Sequence, residues 1–170
     1  MRTRLIQAVA VLSTGLLAGA FGYGLANLAP TFHRVPLQMR LEFHTALMKA
    51  NSISMQLTMA AAALSCLGLA VLRTGRARRM AGAAAALVVA SFGITRLGNV
   101  PINHQINRWV TAGAPENYAE ILTRWDIFHA LRTSTALVAF GLMIALALWS
   151  ARSGKEALGA SAETRTPAHA

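Results

Sequence analysis

Four apolar stretches constrain this chain more than any other feature. They run from Leu5 to Ala29, from about Ile53 to Leu72, from Ala81 to Ile94 and from Thr133 to Trp149. The hydrocarbon of a bilayer is about 30 Å thick, and an α-helix crosses it in about 20 residues. The shorter runs continue into mixed sequence that keeps a helical period, so each supports a helix long enough to span. Inside lipid every backbone polar group must be bonded within its own segment, which selects helices packed on one another. Composition agrees: 55% of the 170 residues are hydrophobic and 13% charged, against about 45–50% and about 25% in a soluble domain. The expectation is an all-α, membrane-embedded antiparallel four-helix bundle over residues 1–150, with helix ends extending beyond the outer face. Residues 151–170, small and polar, are expected to form a disordered cytoplasmic tail.

The formal charge is +10. The basic residues sit mostly beside apolar runs, where they orient helices, so the charge points to the lipid bilayer and not to nucleic acid. With four spans, nine Lys and Arg residues fall on the side of the N-terminus, the Arg73–Arg79 turn and the tail, and seven on the other. That balance predicts a multi-pass inner-membrane protein with both termini cytoplasmic. The first run could be a secretory signal, but at about 25 residues it exceeds the usual apolar region of about 7–15, so a retained helix is expected. The single cysteine, Cys66, excludes an intrachain disulfide. Oligomeric state is left open, a homo-oligomer included.

Taken in order, Pro30 is expected to end the first helix and Pro36 to start the second. The second should be a helix of about 36 residues, roughly 55 Å, with its first half outside the hydrocarbon. Met48, Met55 and Met59 form a stripe that reads as packing. Pro101 should kink or end the third helix. Thr111 to Glu116 breaks it, and Asn117 with Glu120 resembles a capping box for a fourth helix from Tyr118 to Trp149.

The chemistry concentrates between Arg96 and Arg132. On a helix Arg96, Asn99, Asn103 and Asn107 share a face by steps of three and four, and so do Trp125, His129 and Arg132. Counting up from the cytoplasmic ends puts Arg96, Arg132, Tyr23, Asn99, His129 and Asn51 in one layer at roughly 24–33 Å. His104 at about 36 Å and His44 at about 42 Å fall above it. Polar groups at that depth are costly and usually functional. The bland alternative is an interfacial belt of snorkelling arginines and tryptophan.

Asn99-x-Pro101-x-Asn103 on a third apolar helix, followed by Arg124-Trp125-x-x-x-His129-x-x-Arg132 opening a fourth, resembles the anthrone oxygenase-like family of small four-helix membrane proteins. The resemblance covers about residues 5–150 and is strongest from Asn99 to Thr133. It implies oxidation of a small lipophilic aromatic ketone or quinol by molecular oxygen, with no metal or flavin cofactor. On that reading His129 is the base and Arg132 or Arg96 stabilises the oxyanion. Asn99 and Asn103 orient the carbonyl, Trp125 forms a wall, and Tyr23 and Asn51 complete the substrate pocket between the third and fourth helices. Two other readings stay open: a non-catalytic structural or partner-binding membrane protein, and a metal site or proton path through His44, His104 and His129.

Overall fold

The computed structural model describes residues 2–163, with side chains as far as Arg152. Four antiparallel helices follow one another: α1 (Arg2–Phe32), α2 (Leu37–Leu72), α3 (Gly75–Ala112) and α4 (Tyr118–Glu163). Each packs on the next, and α4 closes the ring on α1. All four are long and apolar enough to cross a bilayer. Their outward faces are apolar as well: Leu12, Ile53, Leu57, Leu64, Val71 and Leu97 are exposed. In water that would be unfavourable, and in lipid it is the expected surface, so the chain is an integral membrane protein.

The interior toward the termini is built from small side chains. Ala10, Ala18, Ala62, Ala77, Ala81, Ala84, Ala85, Ala136 and Ala139 are buried there with Leu17, Leu69, Met143 and Leu146. Lipid is as apolar as leucine, so close backbone approach and dispersion, rather than expulsion of water, hold these helices together.

Two turns depart from the α-helix. Gly24–Leu28 in α1 and Thr95–Asn99 in α3 are π-helical, closed by the N–H of Ala29 on the Gly24 carbonyl and the N–H of Val100 on the Thr95 carbonyl. In each case the next residue is a proline, Pro30 or Pro101. A proline ring clashes with the carbonyl four residues back, and a widened turn makes room for it. Pro30 therefore does not end the first helix, contrary to the sequence expectation; the chain stays helical to Phe32. The connection Gly113 to Asn117 does break the helix, with Gly113 at φ 82°. Helix α4 opens on backbone bonds from Tyr118 to Pro115 and from Ile121 to Asn117. It continues to Glu163, through much of the stretch that the sequence predicts as tail. Extending an existing helix needs no new nucleus, and Lys155 to Leu158 are good helix formers. Residues 164–170 of that predicted tail lie outside the described residues.

Candidate functional site

The end of the bundle that carries the two connections is built differently from the alanine-rich end. Here lie Arg40, His44, Asn99, Trp125, His129, Arg132 and Thr133, all buried. The two π turns shape the space around them. A Cβ on Gly24 would stand 2.8 Å from His129 Nε2, and one on Gly98 would collide with the Phe128 ring. Both wide turns thus carry a glycine where α4 comes closest.

Trp125 is the centre. His129 stacks on its indole, with ring centroids 5.0 Å apart, and His44 meets it edge-on at 4.7 Å. Phe32 packs beyond His44 at 5.4 Å, and Phe21 beyond His129 at 6.3 Å. The Arg132 guanidinium lies over the Phe21 ring, 4.4 Å from its centroid. Such a contact is worth about 0.5–2 kcal/mol and helps an arginine exist away from water.

The hydrogen bonds fix which nitrogens carry protons. An indole N–H can only donate, so the Asn103 atom that Trp125 Nε1 meets at 2.8 Å is the amide oxygen. His44 Nε2 reaches that same oxygen at 3.0 Å and must donate to it. Neutral His44 then has its lone pair on Nδ1, which is buried and has no hydrogen-bond partner among the described residues. The other imidazole is set by Arg132, whose Nε–H donates to His129 Nδ1 at 3.0 Å. A guanidinium cannot accept, so His129 Nδ1 is a lone pair and Nε2 bears the proton. That Nε2–H is buried and turned toward the Gly24 backbone, without a bond of full hydrogen-bond geometry among the described residues. Asn99 donates from Nδ2 to the Trp125 carbonyl at 3.1 Å, leaving its buried Oδ1 without a donor. Two acceptors and one donor, all buried and without a bond partner among the described residues, therefore stand around one indole.

Arg132 is held further by Thr95 Oγ1 at 3.5 Å, and its backbone carbonyl accepts from Ser91 Oγ at 3.1 Å. Thr133 Oγ1 donates to the His129 carbonyl at 2.7 Å. The α3–α4 contact at this level is thus polar on both sides.

Of the residues singled out from sequence, Asn99, Asn103, Trp125, His129 and Arg132 come together. Arg96 does not: it is exposed. The π turn inserts one residue between it and Asn103, rotating it by about 100° away from the face that an unbroken helix would give. Tyr23 is 61% exposed and points away from the cluster, and Asn107 is exposed too. Asn51 is half-buried, with no side-chain hydrogen bond among the described residues. His104 is exposed, and no three of His, Cys, Asp and Glu gather in metal-binding reach among the described residues. Sequence reasoning set His44 above the polar layer and weighed it only for a metal site or proton path, and it missed Gly24 and Arg40. The one signal for His44 was Arg40-x-x-x-His44, two polar residues a turn apart on a largely apolar helix.

Fold and site together define a four-span membrane protein with a buried aromatic, imidazole and guanidinium core. A family model described as anthrone oxygenase matches residues 43–142. That is more than half of the chain, which therefore belongs to the anthrone oxygenase family. The matched stretch includes His44, Asn99, Asn103, Trp125, His129 and Arg132. No curated protein and no solved structure matches the chain.

Proposed function

We propose that the protein is a membrane oxygenase that needs no cofactor and acts on a lipophilic aromatic ketone or quinol of the anthrone type, at the site between α2, α3 and α4. The observation that carries this is the unlike state of the two imidazoles: His44 offers a buried lone pair and His129 a buried N–H, on either side of Trp125. A ring ketone with an acidic CH2 needs both. His44 Nδ1 accepts the proton, and His129 Nε2–H donates to the ketone oxygen as it gains charge. Arg132, donating to the back of His129, polarises that imidazole and makes it a stronger donor. This reverses the role that sequence alone suggests for His129.

The remaining steps balance with dioxygen as the oxidant. O2 bonds to the deprotonated carbon, and its outer oxygen takes a proton to give a hydroperoxide. Loss of the second C–H proton to a base breaks the O–O bond and releases water, leaving a second ring carbonyl. The sum is CH2 plus O2 to C=O plus water. Asn99 Oδ1 is available to accept from a substrate hydroxyl or the hydroperoxide.

The test is oxygen uptake and quinone formation by the purified protein with a panel of anthrones and quinols. Uptake matched one to one by quinone supports the reading. No uptake with any of them defeats it in favour of a structural role for the core. The expected orientation, both termini cytoplasmic, follows from the arginine-rich turn at Arg73–Arg79. In a Cys66→Ala background, Thr74→Cys should label only in permeabilised cells and Glu116→Cys from outside; the opposite pattern overturns it.

A further inference from the structure

A cleft of about 270 Å³ opens at the end of the bundle that carries the connections, between the close of α1, the start of α2 and the start of α4. Phe32, Val35, Leu37, Ala119 and Leu122 form its apolar part, Tyr118 adds an aromatic ring with a hydroxyl, and His33, Arg40 and Thr123 make the rest polar, with no carboxylate among the described lining residues. Arg40 is only 5% exposed, yet its Nε and Nη2 have no hydrogen-bond partner among the described residues. Its nearest anion, Asp126 Oδ2, lies 3.7 Å from Nη2 and already accepts from His33 Nε2 at 2.9 Å. A guanidinium presents five N–H groups, and burying them unmatched is costly. This one is steadied by the long ion pair to Asp126, which it shares with His33, and by the Phe32 ring, 5.5 Å from it.

We propose that this cleft binds a flat aromatic molecule carrying an ionised oxygen, a phenolate or carboxylate, with the oxygen on Arg40 and the ring against Phe32 and Leu122. The chemistry is complementary on each count. The walls suit a ring, a charged oxygen supplies the acceptors that Arg40 lacks, and the absence of lining carboxylates selects against cations. The place also fits. Arg40 and His44 lie four residues apart on α2, and Phe32 touches both the cleft and the His44 ring. A ligand seated here stands one aromatic ring away from the buried imidazole. The proposal rests on the oxygenase reading only for the ligand's place on the path to His44; the binding site stands on the cleft itself. Phe32, His33 and Arg40 lie outside the stretch that the family model matches.

The experiment uses the full chain in detergent and titrates 1-naphthoate and its neutral analogue 1-naphthalenemethanol by calorimetry. The wild type should prefer the naphthoate. Arg40→Gln should weaken the naphthoate about tenfold and leave the alcohol unchanged, as expected from losing one charge-assisted contact. Asp126→Asn, which frees Arg40 from its carboxylate, should tighten it. Ala119→Trp, at an exposed wall position, should abolish binding of both while the helix content holds. If Arg40→Gln does not fold, the other two variants decide. Equal binding of acid and alcohol by the wild type, or naphthoate binding to Ala119→Trp at wild-type strength, overturns the proposal. If binding follows this pattern in a protein that consumes no oxygen with any anthrone, the cleft stands and the oxygenase reading falls. If Ala119→Trp loses naphthoate but still oxidises an anthrone at the wild-type rate, the cleft is removed from the path and the oxygenase reading stands.

Discussion

The two ends of this bundle are built from the same four helices and pack by opposite means. Toward the termini the interior is alanine, leucine and methionine, and the hydroxyls there, Ser13, Thr14 and Ser65, bond back to their own helix. Toward the connections the interior is aromatic and polar, both helices that carry a proline are widened, and six polar side-chain groups keep buried atoms without partners. Burying polar atoms without partners costs about 1–3 kcal/mol each, more for charged groups. The alanine-rich end carries only two such groups among the described residues, Arg73 Nε and Ser150 Oγ, and supplies the frame in which the other end can hold its six. On the proposed function, the unsatisfied groups concentrated at one end are kept for a ligand, where packing alone would favour apolar side chains.

Substitutions sort the two ends. The largest effect is expected at Gly24. Gly24→Ala puts a methyl group 2.8 Å from His129 Nε2, so the imidazole must shift, and a misplacement near 1 Å costs on the order of a hundredfold in rate. The expected result is a folded protein with most of its oxygen uptake gone; an unchanged rate would detach His129 from the reaction. Arg132→Lys keeps the charge but removes the Nε–H that fixes His129. A loss of about 1–3 kcal/mol in transition-state stabilisation is expected, read as kcat over KM on an accepted anthrone. A wild-type value would make Arg132 a purely structural cation.

At the other end, Ala84→Leu should do the reverse. Ala84 is fully buried, and overpacking there should destabilise the protein by about 1–3 kcal/mol. Thermal unfolding in detergent would fall while the folded fraction turns over normally. A large activity loss without a stability loss would erase the distinction between the ends. The smallest effect is expected from Arg96→Gln. The side chain is exposed, so both stability, within about 0.5 kcal/mol, and activity should hold.

The split between Arg132 and Arg96 shows what the sequence makes legible. Trp125, His129 and Arg132 share a face because α4 is an unbroken helix there, and helical period alone finds them. Arg96 sits inside a π turn, and no period rule anticipates the extra residue that turns it outward. Pro30 misleads for the same reason: proline is read as a helix stop, whereas here a widened turn absorbs it. His44 was set above Asn103 by counting straight rises along each helix, about 42 Å against roughly 35 Å. A bond of 3.0 Å between them says that they are level. Helix α3 begins at Gly75, before the apolar run from which Asn103 was counted, and counting from that start puts Asn103 at about 42 Å as well. Partners are harder still to read, since which nitrogen of each imidazole is free depends on Asn103 and Arg132, residues on α3 and α4 that only the fold brings to His44 and His129.

The central claim is that His44, not His129, takes the proton. Proton removal can be watched apart from oxygen chemistry, by deuterium exchange into the CH2 of a dihydroxyanthrone in D2O without air, after subtraction of the uncatalysed rate. The account predicts catalysed exchange by the wild type, its loss by at least about a hundredfold in folded His44→Ala, and a smaller loss in His129→Ala, which removes a hydrogen-bond donor and leaves the base. Exchange at the wild-type rate in folded His44→Ala would contradict it.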